Sequence, residues 1–192
     1  MPSFKSILSI SLFLVLGFSA TASELQLEEA KQKIQVFAKT LKGSLTSAVK
    51  TGGLGAGVEI CHKQAPEIAK SLSTDGWQVS RTSLKPRNLE NKPAPWQKSV
   101  LEKFEQQKAA GKPVTDLAFI ERDNNTFLMV KAIPTGKLCL NCHGKSIDPT
   151  LQATINRLYP HDQATGFSLG DIRGAFVIQK ALNDQKTQEP IN

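Results

Sequence analysis

Apolar residues recur at three- and four-residue steps through Leu27, Ala30, Ile34, Phe37, Leu41, Leu45 and Ala48, which predicts a one-faced helix from about Glu24 to Val49. Gly52-Gly53 closes it. A second helical stretch opens near Gly57, carries Val58, Cys61 and Ala65, and meets Pro66, whose missing N–H interrupts helices; Ile68, Ala69 and Leu72 then add one or two turns. Cys61 is thereby placed near a helix end. Trp77 to Ser83 alternates and is rich in strand formers, whereas Pro86, Pro93 and Pro95 break the next stretch into a structured loop. Trp96, Val100 and Phe104 stand four apart on a helix ending near Gly111. Leu117 to Arg122 and Thr126 to Ile133 form the clearest hairpin, joined through Asp123-Asn124-Asn125, residues that tolerate positive φ. A short helix over Pro149 to Tyr159, a strand over Gly174 to Ile178 and a polar, frayed tail complete the chain. Helices first, then strands with helices packed to one side, specify an α+β fold with a small antiparallel sheet.

Composition adds an address. Lys5 precedes an apolar run from Ile7 to Phe18, and Ala20-Thr21-Ala22 offers a small-x-small cleavage pattern before Ser23. The run is shorter than the roughly 20 residues a spanning helix needs, so residues 1–22 are expected to be a removed secretory signal. Residues 23–192 are then one exported, periplasmic domain with no stable membrane span. The net charge of +7 comes from scattered rather than blocked basic residues, which argues against nucleic-acid binding. It suits anionic ligand groups or an acidic partner surface instead.

Three cysteines in an exported chain would ordinarily suggest a disulfide and a spare thiol. Two of them, however, lie in Cys139-Leu140-Asn141-Cys142-His143. The thiols of a Cys-x-x-Cys-His unit add across the two vinyl groups of a haem, and the adjoining imidazole is held where it reaches the iron. Zinc would call for a second Cys-x-x-Cys, which the sequence lacks, and a thioredoxin-like pair would follow a first βα unit. One c-type haem, attached through Cys139 and Cys142 with His143 as proximal ligand, is the expectation.

Candidates for the opposite axial position are Cys61, His62, Met129 and His161. Met129 sits in a strand-like run where Met fills apolar gaps, and His161 in the turn-like Tyr159-Pro160-His161-Asp162. Cys61 and His62 point about 100° apart on a helix, so only one of them can face the metal. Cys61 could be a small buried residue, yet an unpaired thiol in an oxidising compartment is explained by occupation with iron. A thiolate there would favour the ferric state.

An ordered series of further residues resembles the PAS-like monohaem c proteins of the cyanobacterial Tll type. It runs through Glu59-Ile60-Cys61 with Ala65-Pro66, Arg81-Thr82-Ser83-Leu84-Lys85-Pro86-Arg87-Asn88, and Ile133-Pro134 leading into Leu138 to Gly144. It continues in Leu158-Tyr159-Pro160, Ala164-Thr165-Gly166-Phe167 and Gly170-Asp171-Ile172-Arg173-Gly174-Ala175-Phe176. The resemblance implies a PAS-like sheet cradling one haem, with the motif histidine on one side and the cysteine matching Cys61 on the other; His62 keeps a ligand swap open. Arg81, Arg87 and Arg173 match its motif positions and suit propionate carboxylates, with loop-tying or pairing to Asp171 and Glu90 as the alternative. Trp77, Trp96 and Phe176 are read as core or haem-packing residues.

Three functions compete. A redox or small-ligand haem sensor uses a detachable thiolate as its two-state element and needs a separate signalling partner. An electron carrier needs only an exposed haem edge and a redox partner. Haem catalysis, such as peroxidase or nitrogen-oxide chemistry, requires an open iron position and an acid–base group; six-coordination through Cys61 would block it. Sensing ranks first and enzyme activity last.

Overall fold

A computed structural model describes residues 21–182. The expected signal, apart from its last two residues, and the polar tail lie outside the described residues. Among the described residues no helix is long and apolar enough to cross a membrane.

The first element, α1 (Ala22–Leu72), opens on a capping box in which Thr21 Oγ1 accepts from the Glu24 N–H and the Glu24 carboxylate accepts from the Thr21 N–H. It is two helical arms rather than one rod. Gly53 leaves the helical region at φ 74°, ψ −173°, conformations that suit glycine, and the chain folds back there. The reversal brings Lys33 Nζ within 3.0 Å of the Leu72 carbonyl and sets Gly57 directly against Leu45 and Val49. The expected break at the Gly52-Gly53 pair is thus observed. Pro66, by contrast, does not interrupt the second arm, which runs through it to Leu72. Pro66 and His62 are solvent-exposed, so the carbonyl that loses its partner to the missing N–H is accessible to water. Cys61 consequently sits in the middle of an arm, not at an end.

The strands β1 (Trp77–Thr82), β2 (Ala118–Arg122), β3 (Thr126–Pro134) and β4 (Ile172–Ala181) form one antiparallel sheet in the order β1-β4-β3-β2. Between β1 and β2 runs α2 (Pro95–Ala109); α3 (Leu140–His143) and α4 (Pro149–Leu158) follow β3. The β2–β3 turn uses no positive φ. Instead the Asp123 carboxylate accepts from the N–H groups of Asn125 and Thr126, each at 2.7 Å.

Helices cover both faces of the sheet, not one. Phe127 and Met129 of β3, Ile178 of β4, and Trp77 and Val79 of β1 pack with Ala30, Phe37 and Ala65 of α1. Alternate residues Leu128, Val130, Ala175 and Val177 meet Val100, Leu101 and Phe104 of α2 on the other face. Trp96, expected in the core, stands 39% exposed at the start of α2, whereas Leu101 is fully buried. Trp77 and Phe176 are core residues as expected. A third cluster, Val58, Leu151, Ile155 and Tyr159 with Cys142, fastens α4 to the second arm of α1. The residues expected to carry chemistry gather where this cluster, the α1 hairpin and the ends of β1, β3 and β4 meet.

Candidate functional site

The segment from Cys139 to His143 is a single helical turn. The His143 N–H donates to the Cys139 carbonyl at 2.9 Å and the Gly144 N–H to the Leu140 carbonyl at 2.9 Å. Glycine is required at 144, because a Cβ there would lie 2.4 Å from the Leu140 oxygen. The turn is docked by residues 162–167: the Gly166 N–H donates to the Gly144 carbonyl and the Phe167 N–H to the His143 carbonyl. Both motif thiols, the imidazole of His143 and the thiol of Cys61 line one cavity. Leu41, Leu45 and Val49 of the first α1 arm, with Leu54 and Val58 of the second, supply its apolar wall. None of the three cysteines is joined in a disulfide.

His143 is oriented from outside the cavity. Its Nδ1 lies 2.7 Å from the Ala164 carbonyl, an acceptor, so Nδ1 carries the proton and Nε2 keeps a lone pair. The Phe167 ring meets the imidazole edge-on at 6.3 Å between centroids. Burial, followed by the charges of Arg173 and Arg87, holds the imidazole well below its ordinary pKa, so it is neutral and able to act as a ligand.

The three arginines divide. Arg87 is 8% exposed; its Nε and Nη2 grip Asp162 at 3.1 and 3.0 Å, and Nη2 also reaches the carbonyls of Cys142 and Ala164. Nε and Nη2 hold the loops around the histidine, and the residue also lines the cavity. Its ion-pair partner is Asp162 rather than Asp171 or Glu90; Asp171 pairs with Lys108. Arg173 donates from Nη1 to Ser83 Oγ and the Lys85 carbonyl, and from Nε to His143 Nε2 at 3.4 Å. That last contact and a metal at Nε2 exclude each other. Arg81 lines the cavity with its guanidinium 5.0 Å from the Phe37 ring centre, and its side chain engages no hydrogen bond or ion pair among the described residues. It is the arginine available to an anionic group.

Across the cavity, burial pushes the Cys61 thiol up from its ordinary pKa, while Arg81 opposes that shift. Burial and the nearby Cys61 push the Tyr159 phenol up to about 12. His62 turns away: it is exposed, with its ring edge-on to Tyr159 at 4.9 Å. Met129 is buried in the sheet core, and His161 is exposed in its loop. Of the four distal candidates, only Cys61 lines the cavity. Sequence reasoning missed Asp162 and the Ala164 carbonyl; their signal was position, since they lie within and beside motif segments on either side of residue 161.

The donor set fits a c-type haem. Two thiols on a single turn, an imidazole with its free nitrogen fixed by a second hydrogen bond, an opposing thiol, apolar walls and one uncommitted cation are the groups such a cofactor requires.

The model of the Tll0287-like family matches residues 20–180 of the chain. Among solved structures, the crystal structure of the cyanobacterial heme-protein Tll0287 is similar, with a TM-score of 0.56 and 26% identity, covering 85% of this chain and 98% of that one. No curated protein sequence matches this chain.

Proposed function

The chain belongs to the Tll0287-like family, and from that premise we propose that it is an exported, PAS-like monohaem c protein that senses redox state or a small ligand. The observation that carries this reading is the convergence of Cys139, Cys142, His143 and Cys61 on one apolar-walled cavity. The similar solved structure is that of a heme-protein, which supports the same cofactor here.

In this reading Cys139 and Cys142 hold the haem as thioethers, His143 Nε2 is the proximal ligand and Cys61 the distal one. The bound group would supply a redox-active iron. Everything else is done by the chain. The Ala164 carbonyl fixes the His143 tautomer, Leu41, Leu45 and Val49 exclude water, and Arg81 offers its guanidinium to a propionate. Arg173 would exchange its contact with Nε2 for the metal while its tie to Ser83 could stay. Cys61, half-buried with its thiol pushed up from its ordinary pKa by burial, would be the ligand able to detach when the state of the bound group changes. That departure is the two-state event a signalling partner would read.

The test compares absorption and electron paramagnetic resonance spectra of ferric wild type with Cys61→Ser and His62→Ala. Thiolate low-spin features lost in the first variant and kept in the second are expected. Their persistence in Cys61→Ser would overturn the axial assignment. Fast electron self-exchange with no ligand change between oxidation states would instead make the protein an electron carrier.

A further inference from the structure

The Ala164 carbonyl that receives the His143 Nδ1 proton at 2.7 Å also accepts from Arg87 Nη2 at 3.3 Å. Asp162 closes the loop. It holds Arg87 through both carboxylate oxygens and accepts the Ala164 N–H at 2.8 Å, so both polar groups of residue 164 are fixed by one ion pair. Arg87 and the Asp162 side chain are both buried, with 9% and 5% side-chain exposure, a desolvated setting in which such contacts act strongly.

A carbonyl accepting from one N–H raises the basicity of that imidazole, because the bond gives the ring partial anionic character. A second donor on the same oxygen draws on the same electron density and weakens the effect. The distances give the imidazole the larger share and Arg87 the role of a moderator. We propose, on the basis of the haem reading above, that Arg87 and Asp162 are positioning residues that set the donor strength of His143 Nε2 through the shared Ala164 carbonyl, Arg87 restraining it and Asp162 tempering that restraint. Arg87 thereby raises the reduction potential of the site, and Asp162 limits how far it does so. Neither residue touches the iron or a propionate in this assignment.

The experiment uses protein matured with its haem and compares wild type, Arg87→Gln and Asp162→Asn by midpoint potential and by the proton resonance of His143 Nδ1–H. Arg87→Gln should shift the one-electron equilibrium about tenfold towards the ferric form, about 59 mV more negative, and move the Nδ1–H resonance downfield as its bond to Ala164 strengthens. Asp162→Asn should move both readouts the opposite way, because an unneutralised Arg87 draws harder on the carbonyl. The second variant decides the matter if the first does not fold. A variant that loses thermal stability while potential and Nδ1–H resonance stay at wild-type values would reduce the pair to a structural clamp and overturn the proposal, as would shifts of equal sign in both. Wild type that gains no haem mass would defeat the haem reading itself.

Discussion

Replacing Gly174 by alanine tests how the cavity wall is built. Gly174 lies in β4 opposite Ile133 of β3, at φ 157°, and the cavity lies alongside it. A Cβ there would stand 2.4 Å from the Thr82 carbonyl oxygen and 3.2 Å from Ser83 Cβ. Real Cβ contacts essentially never fall below 3.0 Å, so backbone must move, and the end of β1 that carries Arg81 moves with it. Overpacking costs about 1–3 kcal/mol, and the upper end applies because the obstacle is main chain rather than a flexible tip. At about 2–4 °C per kcal/mol for a domain of this size, Tm should fall by about 6–12 °C. Gly43→Ala is the control: nothing lies within 4 Å of its Cβ, and the gain in helix propensity should stabilise by about 1 kcal/mol. Thermal and urea unfolding of the two variants beside wild type provides the assay. A Gly174→Ala protein within about 2 °C of wild type would refute the close approach of β1 and β4.

Other substitutions probe separate parts of the account. Gly53→Ala meets no neighbour but must adopt a glycine conformation, so it should cost about 1–3 kcal/mol in urea unfolding, against the gain expected if α1 were one continuous helix. Leu101→Ala empties a fully buried position beneath α2 and should cost about 2–5 kcal/mol, whereas Trp96→Ala at the exposed start of that helix should cost far less. The Asp171 carboxyl is held below its ordinary pKa chiefly by the Lys108 hydrogen bond. A depressed folded pKa stabilises above the unfolded value of about 3.9 and loses that contribution as pH falls through the folded one. Asp171→Asn should therefore be less stable than wild type at neutral pH and converge with it in strong acid; a gap independent of pH would rule out the charge as its source.

Local patterns in the sequence were sufficient for most elements. The 3.6-residue apolar rhythm located both arms of α1, the Gly52-Gly53 pair located their reversal, alternation located β1, and strand-like runs flanking a turn located β2 and β3. Pro66 misled because its cost depends on whether water can reach the abandoned carbonyl, a matter of tertiary exposure that no local rule contains. The hairpin turn was located correctly, but its chemistry was a side-chain acceptor at Asp123 rather than a left-handed backbone. The motif at 139–143 announced a site, because that chemistry needs adjacent residues. The division of labour among the arginines did not show. Arg87 and Asp162 are 75 residues apart, and nothing in either neighbourhood says that one guanidinium holds loops while Arg81 is left uncommitted.

The central claim is covalent attachment through Cys139 and Cys142, and intact mass under denaturing conditions tests it most directly. Protein secreted from a host competent in cytochrome maturation should weigh about 616 Da more than its polypeptide and keep its colour through acid-acetone extraction, with both properties lost in Cys139→Ala/Cys142→Ala. A wild-type mass equal to the bare chain, with the colour passing into the solvent, would contradict the account.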